Sequence, residues 1–250
     1  MELRDKVCLI TGGSGGIGSA TALQFASLGA HISVGSLEAD KDAALRLKSQ
    51  IESLGRKCTV FLGNVGDPAQ VLNLVQGTVQ TFGGVDVLVH CAGGPVPGSL
   101  TEVDPKEWYK AFDVHVHAAF HLCRAVVPYM IKKHEGAIVL ISSAAGLRGC
   151  AGAIAYGVVK GAILPLTRTL ARELAEHNIR VSCVSPGIIR TRFQDILTPE
   201  QVRNNIENRI PLRREGKPED VARVIAMLVQ NDFITGENIT IDGGMTMRVA

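Results

Sequence analysis

Short runs that are apolar at nearly every position alternate along the chain with longer runs in which apolar and polar residues recur at helical spacing. The short runs are 6–11 (KVCLIT), 31–35 (HISVG), 58–63 (CTVFLG), 85–92 (VDVLVHCA), 136–143 (GAIVLISS), 179–185 (IRVSCVS) and 238–242 (NITID). They are β-branched, brief and lack alternation, as strands covered on both faces must be. The longer runs predict helices at about 16–28, 38–54, 68–82, 105–132, 156–176 and 218–229. Asp67 followed by Pro68 reads as an N-cap with proline in the first helical position, and LTPEQ and GKPEDVA read as starts of the same kind. Strand and helix alternating this often predict an α/β fold: a single-domain, Rossmann-like, doubly wound parallel sheet of about seven strands with helices on both faces.

No change of composition or linker divides the chain, so residues 1–250 are expected to form one domain. The one long irregular stretch, 187–217, falls between the sixth strand and the last helix. Loops of that length in compact domains usually serve function, and this one is expected to be a substrate loop. Residues 93–103 (GGPVPGSLTEV) are expected to line the same pocket.

Composition narrows the partners. Twenty-six Lys and Arg against twenty-four Asp and Glu leave a formal charge of +2 with no basic stripe, which argues against nucleic acid. No apolar run approaches the roughly 20 residues that cross a bilayer, and with a strand beginning at about residue 6 no leader peptide is expected. The six cysteines are scattered without a CxxC pair, and four lie inside apolar runs. They read as reduced core residues, and the compartment as cytoplasmic.

The first strand runs into TGGSGGIG at 11–18 and then into a helix. Glycines there let the backbone turn sharply, approach a pyrophosphate and pack the helix on the strand. Gly13, Gly15 and Gly18 satisfy GxGxxG, and Gly12, Gly16 and Gly18 satisfy TGxxxGxG. A dinucleotide fold usually places an acid at the end of the second strand to hold the ribose diol. Here Ser36 stands at that position, followed by Leu37. Loss of the acid removes repulsion against a 2′-phosphate while no arginine replaces it, so NADP(H) is favoured modestly and NAD(H) stays open.

SSAAGLRGCAGAIAYGVVK, 142–160, carries the candidate chemistry. Tyr156 and Lys160 lie four apart on one helix face, and Ser143 ends the fifth strand. A hydride delivered to a carbonyl carbon needs a proton delivered to its oxygen. A tyrosine with an ordinary pKa near 10 is a poor acid–base at neutral pH unless a cation stabilises its phenolate. Lys160 can supply that charge and Ser143 can donate a hydrogen bond to the substrate oxygen.

As a set these residues resemble the short-chain dehydrogenase/reductase family, over essentially the whole chain. TGxxxGxG, Ser143, Tyr156-x-x-x-Lys160, SPG at 185–187 with Thr191 following, and DGG at 242–244 fall in order. The flavour is similar to β-ketoacyl-carrier-protein reductases and related 3-ketoacyl, sugar and polyol reductases, with IPLRREGKPEDVA resembling the segment after their substrate loop. The resemblance implies a homotetramer and a small carbonyl or secondary-alcohol substrate, with Tyr156 as acid–base and Ser143 positioning the carbonyl. Lys160 would also bind the nicotinamide ribose. Gly12, Ser14, Gly16, Ile17, Gly18, Ser36, Asn64, Val65, Ala92, Gly93, Pro186, Gly187, Ile189 and Thr191 would contact the cofactor, with Tyr156 and Lys160.

Three places depart from the pattern. HCAG at 90–93 stands where the family has NNAG, Asn64-Val65 where it has Asp-Val, and VHVHA where it has a VNLTG-like run. His115 thereby takes the position of the family's fourth catalytic residue, an Asn that helps order a water linking Lys to solvent. An imidazole ordinarily titrates near pH 6.5, and beside Lys160 it would prefer to stay neutral. His117 and His121 share a helix face but have few carboxylates near, so core or interface packing is expected there and no metal. The altered Asn and NNAG positions leave one competing class, a nucleotide-sensing or scaffold protein that kept the fold and lost the catalysis.

Overall fold

The computed structural model describes residues 1–195 and 197–247. Residue 196, inside the expected substrate loop, and residues 248–250, inside the expected domain, lie outside the described residues. The strands are β1 (Val7–Thr11), β2 (His31–Ser36), β3 (Cys58–Leu62), β4 (Val87–His90), β5 (Gly136–Ile141), β6 (Ile179–Pro186) and β7 (Asn238–Ile241). They form one sheet in the order β3-β2-β1-β4-β5-β6-β7, every neighbouring pair parallel. This is the Rossmann-like doubly wound sheet that the alternation predicts.

The apolar runs are continuous because both faces of the sheet are covered. Successive side chains of a strand point to opposite faces. Cys8 and Ile10 of β1 therefore enter one core with Phe25, Leu47 and Ile225, while Leu9 enters the other with Leu74, Leu122 and Ile163. β4 and β5 divide in the same way: Val87, Val89 and Val139 on one side, Leu88, Ile138 and Leu140 on the other.

Helices α1 (Gly16–Ser27), α2 (Lys41–Ser53) and α9 (Pro218–Gln230) cover the first face, and α3 (Pro68–Phe82), α5 (Ala118–Lys133) and α7 (Ile154–Leu174) the second. Asp67 caps α3 by accepting from Ala69 N at 2.9 Å, with Pro68 in the first turn. LTPEQ opens a short helix, α8 (Pro199–Asn204), through a Thr198–Gln201 capping box.

The structure refines several expectations. The helix expected over 105–132 is α4 (Pro105–Phe112), a π turn over Asp113–His117 and then α5. A five-residue helix, α6 (Ala144–Arg148), follows β5 directly. The 187–217 stretch is not wholly irregular: it holds a 3₁₀ turn (Arg192–Gln194), α8 and a second π turn (Asn205–Arg209). All six cysteines are free, four of them buried, with Cys91 half-buried and Cys150 exposed. No described helix is long and apolar enough to cross a membrane.

Candidate active site

The C-terminal ends of β1, β4, β5 and β6 bring the predicted residues to one edge of the sheet, where ligands of open α/β folds bind. The β1–α1 loop bends through left-handed conformations at Gly12 (φ +64°) and Gly16 (φ +49°). A Cβ at Gly12 would lie 2.7 Å from the Ala92 backbone nitrogen, so the loop packs directly on the segment after β4. Gly18 faces the Gly12 carbonyl in the same close way, and half-buried Ile17 packs into the adjoining core.

Gly15 is the N-cap of helix α1 and offers no side-chain cap, and nothing stands within 4 Å of where a Gly15 Cβ would be. The first N–H groups of the helix thus lack a side-chain cap beside open space, a physical fit for a pyrophosphate at a helix N-terminus.

At the end of β2 the buried Ser36 hydroxyl donates to Ser14 Oγ at 2.6 Å, joining that strand to the glycine loop. Asn64 Oδ1 accepts from Gly66 N at 2.9 Å, and Asn64 N donates to Gln70 Oε1 at 2.6 Å. Asn64, Val65 and Gln70 line a hollow beside Gly35 and Phe61. Across the edge, Pro186 ends β6, and Gly187 N donates to Ile241 O at 2.9 Å. A side chain at Gly187 would meet Asp242, its Cβ 2.6 Å from that residue's own. Ile189 is buried, while Thr191 Oγ1 accepts from Phe193 N at 3.3 Å and its methyl rests beside Gly16.

Ser143, Tyr156, Lys160 and His115 converge. Ser143 is the N-cap of α6, its Oγ accepting from Ala145 N at 3.1 Å. Lys160, 6% exposed, donates from Nζ to Ile141 O at 2.9 Å and lies 5.7 Å from the centre of the Tyr156 ring. Burial pulls its pKa down to about 8. Burial pushes the Tyr156 phenol up from its ordinary value, and a hydrogen bond with Ser143 pulls it back. The phenol therefore holds its proton at neutral pH.

His115, 3% exposed, stands edge-on to Tyr156 with ring centres 5.9 Å apart. Its Nε2 lies 3.3 Å from Gly94 O. A carbonyl only accepts, so Nε2 carries the proton and Nδ1 is a bare acceptor. That Nδ1 is buried with no hydrogen-bond partner among the described residues. Gly93 (φ +141°) makes the space, because a Cβ there would collide with the imidazole. Burial first, then the charge of Lys160, push the His115 pKa down to about 2, far below the ordinary 6.5. The ring is neutral throughout the physiological range.

The other two histidines of this stretch are separate from the site. His117 is exposed rather than in the core, its Nδ1 2.9 Å from Asp113 Oδ1, and half-buried His121 lies edge-on to Phe120 at 5.2 Å. Two residues join the site that the sequence reading did not assign to it. Phe193, from the 3₁₀ turn, lies 5.6 Å from the Tyr156 ring, and no sequence signal marks it. His90, buried at the end of β4, bonds Thr11 and the Val114 carbonyl; a polar residue closing an apolar strand was the available signal.

A parallel sheet of this order, with a glycine loop after its first strand and a Ser–Tyr–Lys cluster at its C-terminal edge, defines a class of oxidoreductases. A family model described as enoyl-(acyl carrier protein) reductase matches residues 12–246, and the chain belongs to the short-chain dehydrogenase/reductase family. It is similar to 3-oxoacyl-(acyl-carrier-protein) reductase FabG of Thermotoga maritima, with 40% identity over 99% of this chain and 100% of the relative. The same enzyme of Chlamydia muridarum is 35% identical, over 97% of this chain and 98% of its own. Human dehydrogenase/reductase SDR family member 4 is 36% identical, over 99% of this chain and 90% of its own.

Proposed function

We propose that the protein is an NAD(P)(H)-dependent reductase of ketones, with 3-oxoacyl thioesters as the preferred substrate class. One observation carries the reading: Ser143, the half-buried Tyr156 and Lys160, whose Nζ lies 5.7 Å from the centre of the phenol ring, converge beside a glycine loop fit for a pyrophosphate. The nicotinamide, when bound, supplies the hydride that forms the new C–H bond. Ser143 holds the substrate oxygen, and Tyr156 gives that oxygen its proton as the C=O π bond breaks. The resulting phenolate is stabilised by Lys160, which stays protonated below its pKa of about 8. In the oxidative direction the same phenolate takes the proton back.

His115 offers a neutral acceptor at Nδ1, suited to a water that hands protons toward Lys160. Gly12, Ser14, Gly16, Ile17 and Gly18 would hold the pyrophosphate side of the cofactor. Ser36, Asn64 and Val65 would hold the adenosine; Ala92, Gly93, Pro186, Gly187, Ile189 and Thr191 would line the nicotinamide side with Tyr156 and Lys160. Ser36 leaves room for a 2′-phosphate without a cation dedicated to it, which supports a modest preference for NADPH, on the order of tenfold or about 1.4 kcal/mol. We place the enzyme in the cytoplasm as a homotetramer, an assembly that sedimentation velocity tests.

Oxidation of NADPH and NADH with a panel of 3-oxoacyl thioesters, sugar ketones and simple ketones tests the reading. Tyr156→Phe keeps the ring and loses only the hydroxyl, so folding and cofactor binding should persist while turnover falls at least ~100-fold. A Tyr156→Phe protein that retained most of its activity would show that this phenol is not the acid. A wild-type protein that binds either cofactor and reduces nothing in the panel would support the sensing alternative instead.

A further inference from the structure

The π turn that presents His115 is held from outside its helix by a second histidine. His90 is 3% exposed, with Nε2 3.1 Å from Val114 O and Nδ1 2.7 Å from Thr11 Oγ1. The carbonyl accepts only, so Nε2 carries the proton and Nδ1 accepts from the threonine hydroxyl. Thr11 Oγ1 in turn accepts from Ala92 N at 3.4 Å. One imidazole thereby joins the entry to the glycine loop, the end of β4 and the peptide carbonyl immediately before His115.

Residues 90–94 meet the π turn at three places. His90 donates to Val114 O, Gly93 lies under the His115 ring, and Gly94 O accepts from His115 Nε2. π turns are rare and occur mostly as single turns inside α-helices, frequently at functional sites. Relaxation of the helix by one residue would rotate the following side chains by about 100° and carry His115 away from Tyr156. The contact from His90 opposes that relaxation at the residue before it.

We propose that His90 is a positioning residue for the reaction: through Val114 it holds the π turn in the form that sets His115 against Tyr156, so that the two histidines work as one unit. The proposal rests on the reading of His115 given above.

The test is a double-substitution cycle on kcat at saturating NADPH and 3-oxoacyl substrate, with wild type, His90→Leu, His115→Leu and the double variant. His90→Leu should lower kcat about tenfold in the wild-type background and by less than twofold where His115 is already Leu, because residues that act through one another are not additive. His90→Asn runs the same cycle if His90→Leu does not fold: its amide can still accept from Thr11 but is too short to reach Val114. Effects that multiply in both cycles, with His115→Leu itself impaired, would overturn the inference and leave the relay standing. A fully active His115→Leu would remove the relay, and the inference with it.

Discussion

At pH 7 Lys160→Met should stabilise the protein while removing its activity. The ammonium of Lys160 is buried against Tyr156 with one hydrogen bond, to Ile141 O at 2.9 Å. Burial lowers its pKa from an ordinary 10.5 to about 8, so the charged form costs the fold about 3 kcal/mol relative to the neutral amine. Methionine keeps most of the apolar stem, removes the charge and forfeits the hydrogen bond, a loss of about 1 kcal/mol. The net gain is about 2 kcal/mol, which for a chain of this length raises Tm by about 4–8 °C.

The pH dependence identifies the cause. Below pH 8 both folded and unfolded chains carry the proton and wild type bears the whole penalty. Between about 8 and 10.5 the unfolded chain binds more protons than the folded one, so wild-type stability gains on the variant as pH rises. Groups away from Lys160 titrate alike in both proteins and cancel in the difference, and His115 and His90, which its charge also pushes down, owe most of their lowered pKa to burial, which both proteins share. Thermal or urea unfolding of the pair from pH 6 to 9.5 would show the gap narrowing above pH 8. A variant less stable than wild type at pH 7, with a gap independent of pH, would refute the reasoning.

The remaining expectations concern the cofactor and His115. Ser36→Asp places a carboxylate where Ser36 now bonds Ser14, and should shift fluorescence-titrated affinity toward NADH by tenfold or more; an unchanged ratio would mean that the ribose lies elsewhere. His115, with its pKa pushed down to about 2, should contribute no acid limb to turnover between pH 5 and 8. His115→Asn should therefore leave the shape of that profile unchanged while His115→Leu lowers its height; an acid limb that disappears in His115→Asn would show that the imidazole titrates in the working range.

The sheet was legible because periodicity is a local property. Strands covered on both faces must be apolar throughout, and such runs at 6–11 and 136–143 were recognisable before any contact was known. Asp67-Pro68 and Thr198-Pro199 announced helix starts through chemistry confined to a few residues. Ser143, Tyr156 and Lys160 could be grouped because one strand end and one turn of helix fix their spacing. The glycine loop was equally plain, since its role depends on backbone freedom at named positions such as Gly12 and Gly16.

What the chain order could not reveal was which side of a helix a residue faces once the helix changes its winding, and what long-range neighbours do to a pKa. Nothing in FDVHVHAAFH announces a π turn, yet that turn accompanies the burial of His115 and leaves His117 in solvent. His90 gains its two partners, Thr11 and Val114, only when residues 79 and 24 positions away fold against it. Lys160, read as a simple cation, has its pKa lowered by surroundings that several strands and helices build together. Sequence alone determined the fold and the kinds of reactive groups, because propensity, pattern and spacing are short-range. Tertiary structure decided their protonation and their aim, because burial and electrostatics are set by atoms far away along the chain.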